Sequence, residues 1–348
     1  MQPEAIPMLS TVWRQEICIS NAEDLFQICN SLEEKNWYFR GQRDYSWPLK
    51  TSLERYFEEN SITEPREKVN FEKCCVILSS TVLESNFHDA NEIEKLAILQ
   101  HYGAPTRLLD ITESFKIALW FAFENSRQPE SEECALFVFN TGRELAVLDE
   151  TIAIYCEKYR DIVAGWSTES MIRRLDFAQR QIKNLKEIAG LAEVVEFPSF
   201  PIVPSNMASS KRIQNQKGAF MLCSNIDKSA EENFWINFRL TARDYRESWT
   251  VNELEHVGLI HGTLSFEEFE QKLNVISAAS LLKIRIPWSF RDEILNRVEQ
   301  GEINRQFIYP SEEETKWEIN AKKIPELLRL LREAKKPAVT VPEVQGHK

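Results

Sequence analysis

Hydrophobic residues recur at helical and strand spacing along much of the chain. Asn21 or Ser20 can act as a helix N-cap, and apolar residues follow on one helical face as far as Leu32. The same periodicity predicts further helices at 71–83, 93–102, 115–123, 170–192, 266–273 and 324–334, and another capped by Ser289 and closed by Gly301. Short apolar runs predict strands at 37–39, 106–111, 136–139, 219–223 and 281–286, and prolines keep 197–204 extended. Because these elements follow no regular β-α-β alternation, we predict one α+β domain with helical elaborations.

Composition narrows the class of protein. The 348 residues are 43% hydrophobic and carry a formal net charge of −12. This charge argues against broad binding to nucleic acid or to an anionic membrane, but it leaves room for a local basic pocket. The apolar run 117–123 is too short to span a bilayer, and residues 1–10 do not resemble a signal peptide. Seven scattered cysteines indicate buried thiols in a reducing compartment, so we predict a cytoplasmic protein.

Common site motifs are missing from the sequence. Ten glycines form no dinucleotide-binding or P-loop pattern, and the cysteines and histidines show no metal-ligand spacing. We therefore expect no bound metal and no nucleotide site of those kinds.

The first stretch with possible site chemistry is WYFRGQ, residues 37–42. Its apolar strand is predicted to stop at Arg40 and Gly41. One interpretation is an edge strand that turns into solvent with Arg40 exposed, and the residues alone favour it. The other is that Arg40 faces a pocket and binds a phosphate through its planar guanidinium, while Gly41 lets a ligand approach the backbone.

A second stretch, LQHYGAPTRLLDITES at 99–114, places polar residues inside an apolar segment. Arg107, Asp110 and Thr112 need partners if they are buried. One structural interpretation is that Arg107 pairs with Asp110 and that Thr112 caps the following helix. His101 lies at the C-terminal end of a predicted helix, where the helix dipole favours a protonated imidazole. A third stretch, RIQNQKGAFMLC at 212–223, places Gln216 just before a strand, either in a loop or facing a cleft.

Together these stretches resemble the FRG domain family, which is named for the Phe-Arg-Gly found here at 39–41. The matching pieces are FRGQ, QHYGAPTRLLDITES with ALWFA, QKGAF and the late segment 281–310. The resemblance implies an N-terminal segment at 1–23, the FRG domain with helical insertions at 24–318, and a C-terminal helix with a frayed tail at 319–348.

A weaker resemblance is to mono-ADP-ribosyltransferases of the Arg-Ser-Glu type. In that family an aromatic-Arg-Gly strand holds the phosphates of NAD, and a later Ser-Thr-Ser strand precedes a helix rich in Ala, Leu and Phe. Residues 109–122 are similar in order and spacing. The resemblance implies a split pair of small mixed sheets surrounded by helices, with NAD as the substrate. It implies that Arg40 binds phosphate and that Asp110 and Thr112 form a scaffold beside the nicotinamide ribose.

The resemblances imply two sets of site residues. The catalytic candidates are Arg40, Asp110, Thr112 and Gln216, and the nucleotide-binding candidates are Arg40, Gly41, Gln42, His101, Thr106 and Arg107. The four catalytic candidates are predicted to converge on one cleft between two small sheets. One departure is serious: the transferases carry a catalytic Glu where this chain has Gln216-Lys217-Gly218, and Glu196 is a poor substitute.

Three functions remain open. The first is an ADP-ribosyltransferase-like enzyme that uses NAD to modify a macromolecule, in the manner of a toxin or defence effector, and the acidic surface favours a protein target. The second is a degenerate module that binds NAD or another nucleotide as a sensor. The third is a protein-interaction scaffold with aromatic residues and the helix at 324–334. The sequence does not fix the acceptor or the oligomeric state.

Overall fold

The computed structural model describes residues 14–35, 37–82, 92–125, 127–140, 200–202, 211–234, 262–278, 281–300, 302–310 and 321–334. The strands are β1 (Arg14–Ile19), β2 (Tyr38–Gln42), β3 (Leu108–Thr112), β4 (Glu133–Phe139), β5 (Phe200–Ile202), β6 (Gly218–Leu222), β7 (Thr263–Leu264) and β8 (Leu281–Pro287). The helices are α1 (Ala22–Glu33), α2 (Ser52–Glu59), α3 (Pro65–Val82), α4 (Glu92–His101), α5 (Phe115–Phe123), α6 (Lys211–Asn215), α7 (Phe266–Ala278), α8 (Arg291–Glu299), α9 (Arg305–Ile308) and α10 (Ile324–Ala334).

The strands form one eight-stranded mixed sheet in the order β5-β6-β3-β2-β4-β8-β1-β7. β1 is parallel to β7 and β8, and the other neighbours are antiparallel. The predicted α+β class is confirmed. The expected split into two small sheets is wrong for the described strands, because β2 and β3 stay joined at one residue pair, Phe39 and Thr112. β1 lies within the segment predicted to precede the domain, whose boundaries stay predictions.

The sheet is covered on both faces. In β4, Leu136 and Val138 pack into a core with α1, α5, α7 and α8, whereas Phe137 and Phe139 pack into a second cluster that includes Leu49 from the loop after β2. This division follows from the alternation of side chains along a strand. A third apolar cluster joins α2, α3, α4 and α10 beside the sheet.

Local sequence accounts for several element ends. Asn21 caps α1 by accepting a hydrogen bond from the backbone N–H of Asp24, as the sequence predicts. The bounds of α5 match the predicted segment 115–123. α5 is apolar on nearly every side because it lies between the sheet and other helices. None of the helices in the described ranges is long and apolar enough to cross a membrane.

Other predictions need correction or lie outside the described ranges. β2 does not stop at Arg40 but continues to Gln42, because its residues as far as Gln42 pair with β4. Ser289 lies in a 3₁₀ turn and α8 begins after Phe290, so Ser289 is not the cap of that helix. The predicted helix at 170–192 and the spare carboxylate Glu196 lie outside the described residues.

Candidate functional site

A cavity of about 370 Å³ lies where β2 and β3 separate. Its walls come from β2, the end of α4, β3, α5, α6 and the start of β6. Its lining combines aromatic, cationic and polar side chains: Phe39, Arg40, Gln100, His101, Asp110, Thr112, Phe121, Arg212, Gln216 and Phe220. The structure therefore brings the four candidate catalytic residues to one place.

The separation of β2 from β3 leaves room for Arg40. The two strands pair only at Phe39 and Thr112, and that register, if continued, would place Gly41 opposite Asp110. Instead the Nη1 of Arg40 donates a 2.8 Å hydrogen bond to the backbone oxygen of Asp110. The guanidinium thus occupies a position where a longer β-ladder would place a main-chain donor. Arg40 lies in the middle of β2, not at the predicted strand end.

The guanidinium of Arg40 is only partly satisfied by protein. Its Nη1 lies 3.5 Å from Oδ2 of Asp110, and its side chain is 21% exposed. Its buried Nε has no hydrogen-bond partner among the described residues. Burial lowers the pKa of Arg40 while the Asp110 carboxylate acts in the opposite direction, and the group remains a cation. Unused donors on a fixed cation make Arg40 suited to an anionic ligand.

Gly41 serves the packing of α5. A Cβ on Gly41 would lie 1.8 Å from the backbone oxygen of Ala118 and 2.9 Å from the backbone nitrogen of Ala122. The helix backbone therefore fills the space that the absent side chain leaves. The prediction that Gly41 leaves room for a ligand is wrong for this face of the strand, although Gly41 borders the cavity.

Asp110 is held from its own side of the cavity by Gln100. The Nε2 of Gln100 donates a 3.0 Å hydrogen bond to Oδ2 of Asp110. The Oε1 of Gln100 accepts hydrogen bonds from the hydroxyls of Thr106, at 2.6 Å, and Ser52, at 3.1 Å. Asp110 nevertheless remains 59% exposed. This chain of contacts fixes the Asp110 carboxylate beside Arg40.

Thr112 and Gln216 use their polar groups to join β3 to the loop before β6. The Thr112 hydroxyl donates to the backbone oxygen of Gln216 at 2.7 Å and accepts from the backbone N–H of Ser114 at 3.1 Å. The side-chain amide of Gln216 donates to the backbone oxygen of Ile308 at 3.3 Å. Both residues line the cavity, but their polar groups are engaged in hydrogen bonds that stabilise the surrounding structure.

Arg107 lies outside the cavity lining. Its guanidinium forms a buried ion pair with Glu72 from α3 and donates a 2.9 Å hydrogen bond to the backbone oxygen of Ser224. Burial opposes the charge of Arg107, but the Glu72 carboxylate outweighs it and the pKa of Arg107 is raised. The expectation that Arg107 needs a carboxylate partner is confirmed, but the partner is Glu72 and not Asp110, because α3 supplies a carboxylate at the guanidinium. The nucleotide contact of Arg107 stays a prediction, and its position outside the cavity lining does not support it.

Two other nucleotide-binding candidates also serve the scaffold. The amide of Gln42 donates to the backbone oxygens of Asp44 and Trp47, which fixes the loop after β2. Thr106 is fully buried, and its hydroxyl bonds to Gln100 and the backbone N–H of Leu108. Neither side chain borders the cavity, whereas His101 does.

Sequence reasoning missed two polar residues of the cavity. Gln100 stands next to His101 within the QHYGAPTRLLD motif, and Arg212 begins the RIQNQKGAF stretch. Arg212 lies over the ring of Tyr309, 4.8 Å from its centroid. Both residues belong to stretches that the sequence singles out, but helical spacing alone does not show which side of a helix end faces a cavity.

The arrangement defines an α+β protein with a polar, cation-bearing cavity at the junction of two strands. The family model of the FRG domain matches residues 35–131, which confirms the resemblance drawn from the FRG and QHYGAPTRLLD motifs. That segment contains Arg40, Gln100 and Asp110, whereas α6 and β6, on the other side of the cavity, lie beyond it. No curated protein and no solved structure matches the chain significantly.

Proposed function

We propose that this chain is an ADP-ribosyltransferase-like protein that binds NAD in the cavity and modifies a macromolecular target. The observation that carries the proposal is Arg40, a cation that lines the cavity at the β2–β3 junction and whose Nη2 has no hydrogen-bond partner among the described residues. A diphosphate would supply the acceptors that this guanidinium lacks. The net charge of −12 favours a protein over a nucleic acid as the target. An enzyme that modifies a macromolecule in this way would act as a toxin or defence effector.

The remainder of the lining supports a nucleotide as the ligand. Arg212 on α6 supplies a second cation to the lining, which suits a ligand with two phosphates. Phe121 and Phe220 offer ring faces and edges against which a base or a nicotinamide can pack. The cavity thus joins aromatic rings to several convergent polar groups, and convergent polar groups fix the orientation of a ligand in small-molecule sites.

The test is calorimetric titration of NAD into wild type, Arg40→Lys and Arg40→Ala. A charge-assisted contact contributes roughly 1.5–3 kcal/mol, so Arg40→Ala should weaken binding by about ten- to a hundred-fold. Arg40→Lys should recover only part of this loss, because an ammonium keeps the charge without the planar fork.

Arg297 provides the matched control. It lies on α8, pairs with Glu23 and Glu293, and does not line the cavity. Arg297→Lys and Arg297→Ala should therefore leave the affinity for NAD unchanged. If wild type failed to bind NAD at millimolar concentration, or if all Arg40 variants bound equally, the nucleotide site would be refuted.

A catalytically degenerate NAD sensor is the second candidate. It is favoured by the hydrogen bonds that already engage Thr112 and Gln216, and by the amide at Gln216 where the transferases have a carboxylate. Incubation of the protein with labelled NAD and cell lysate separates the two candidates. Transfer of label with release of nicotinamide supports the enzyme, whereas tight binding without either product supports the sensor.

A further inference from the structure

The cavity lacks a carboxylate at Gln216 but contains one elsewhere. Among the residues that line it in the described part of the chain, Asp110 is the single carboxylate. Its Oδ2 faces Gln100 and Arg40, while its Oδ1 has no hydrogen-bond partner in the described ranges. A carboxylate fixed through one oxygen and open through the other can accept a proton or face a developing positive charge.

The amide of Gln100 has only one useful orientation. Its Oε1 accepts from two hydroxyls, Thr106 and Ser52, which are themselves anchored where α2 meets the chain before β3. A flipped amide would place its NH₂ group against those hydroxyls and its oxygen against Asp110. Gln100 is therefore locked with its donor towards the carboxylate.

We propose that Asp110 is the catalytic carboxylate of this site and that Gln100 is the positioning residue that orients it. This inference rests on the proposed function, since it assigns the carboxylate that the transfer of ADP-ribose requires. It gives Asp110 the task that the Arg-Ser-Glu transferases give to a Glu near the position of Gln216.

The chemical step is a substitution at C1′ of the nicotinamide ribose. The bond from C1′ to the nicotinamide nitrogen breaks, and both electrons leave with nicotinamide, which departs as a neutral molecule. A bond forms between C1′ and an oxygen of water or of the acceptor. The proton of that oxygen passes to Oδ1 of Asp110 and then to solvent. While the old bond breaks, the negative charge of Asp110 stabilises the positive charge on the ribose.

Among the described residues that line the cavity, the charged or titratable groups besides Asp110 are two arginines and a histidine. Arg40 faces it from β2, His101 lies at the end of α4, and Arg212 lies on α6, whereas α5 and β6 contribute uncharged residues to the lining. No second carboxylate borders the cavity among the described residues. An introduced carboxylate at Gln100 would thus be the first acid to face Asp110.

Gln100→Glu is the sharpest test, because it replaces only the group that donates to Asp110 and keeps the oxygen that accepts from Thr106 and Ser52. A glutamate at this position still accepts from Thr106 and Ser52, but it presents an acceptor with a negative charge to Asp110 in place of a donor. Two facing carboxylates favour protonation of one of them. In nicotinamide release from NAD with water as acceptor, we expect kcat to fall about ten-fold and the acid limb of the pH–rate profile to move up by about one unit.

Gln27→Glu is the matched control. The amide of Gln27 on α1 likewise donates to a carboxylate, that of Glu23 at 3.1 Å, but on an exposed surface outside the cavity. The same chemical exchange there should leave kcat and the pH–rate profile unchanged.

Asp110→Asn should lower kcat by about a hundred-fold. Gln100→Met, which removes the donor without adding charge, should lower kcat without moving the acid limb.

The outcomes separate this inference from the proposed function. If wild type binds NAD and releases nicotinamide, and Asp110→Asn does the same at the wild-type rate, Asp110 is not the carboxylate. If Asp110→Asn is impaired but Gln100→Glu and Gln100→Met keep the wild-type kcat and pH–rate profile while folded, the positioning role of Gln100 is refuted. NAD binding without nicotinamide release refutes the catalytic role alone, whereas absence of NAD binding refutes the proposed function itself.

Discussion

Adjacent residues of β2 perform different tasks although the sequence presents them as one motif. Arg40 places its guanidinium between β2 and β3 and reaches the cavity. Gly41 lies against the backbone of α5 at Ala118. Side chains alternate between the two faces of a strand, so neighbours in the FRG motif necessarily meet different surroundings. The motif thus combines a binding candidate with a packing requirement.

Gly41→Ala should be strongly destabilising. The new Cβ would overlap the Ala118 backbone oxygen, and relieving that overlap means moving α5 off the sheet. Overpacking of this kind costs about 1–3 kcal/mol or more. Gly218→Ala is the control, because its nearest neighbour would lie 3.6 Å away, at ordinary contact distance. Urea denaturation of both variants measures the difference, and a stable Gly41→Ala protein would contradict the packing role.

Asp44 links stability to pH. Burial opposes its charge, but hydrogen bonds from Ser46 and Ser131 outweigh burial and lower its pKa to about 2 from 3.8. Because the pKa of Asp44 is lower in the folded than in the unfolded protein, its charge stabilises the fold at any pH above the unfolded pKa. This contribution is lost as the pH falls through about 2. Asp44→Asn should therefore cost about 2 kcal/mol at pH 7. The deficit should shrink steadily below pH 4 in urea denaturation. A deficit independent of pH would show that the charge contributes nothing.

At the scale of elements, residues near in sequence explain where helices begin, and distant residues explain where β2 ends. Asn21 caps α1 with its own side chain, and Thr51 caps α2 in a capping box with Glu54. These contacts span three residues, so they can be predicted from sequence. β2 continues through Arg40 because β4 supplies the pairing partner. That partner is remote in the chain, and no local pattern indicates it.

The ion pair between Arg107 and Glu72 joins α3 to β3. Both side chains are buried, so removing one charge leaves the other without compensation. Glu72→Gln should therefore reduce the free energy of unfolding by about 3–5 kcal/mol.

Glu58→Gln is the matched control for this pair. It breaks the exposed pair with Lys50 and should change stability by about 1 kcal/mol or less. Equal effects of Glu58→Gln and Glu72→Gln in chemical denaturation would show that burial of the Arg107–Glu72 pair is unimportant.

At the scale of the molecule, the sheet is continuous, but the two strands at the cavity share the fewest residue pairs. β3 pairs with β6 over five residue pairs and β2 pairs with β4 over five, whereas β2 and β3 share one. The two halves of the sheet thus diverge where Arg40 and Asp110 meet. This geometry opens a cavity without breaking the sheet. α5 packs on the half that contains β2 and β4 and borders the cavity with Ala118 and Phe121.

The sequence alone determined the α+β class, the FRG resemblance and most of the described elements, since helical and strand periodicity and capping depend on residues close in the chain. It also selected Arg40, Asp110, Thr112 and Gln216 as residues that share a cleft. The tertiary structure decided which polar groups remain available there. Thr106 and Arg107 are satisfied by partners in other elements, and Gln100 gains its role through contacts with α2 and β3. Those partners are fixed only when distant segments pack, because a hydrogen bond depends on distance in space rather than on separation along the chain.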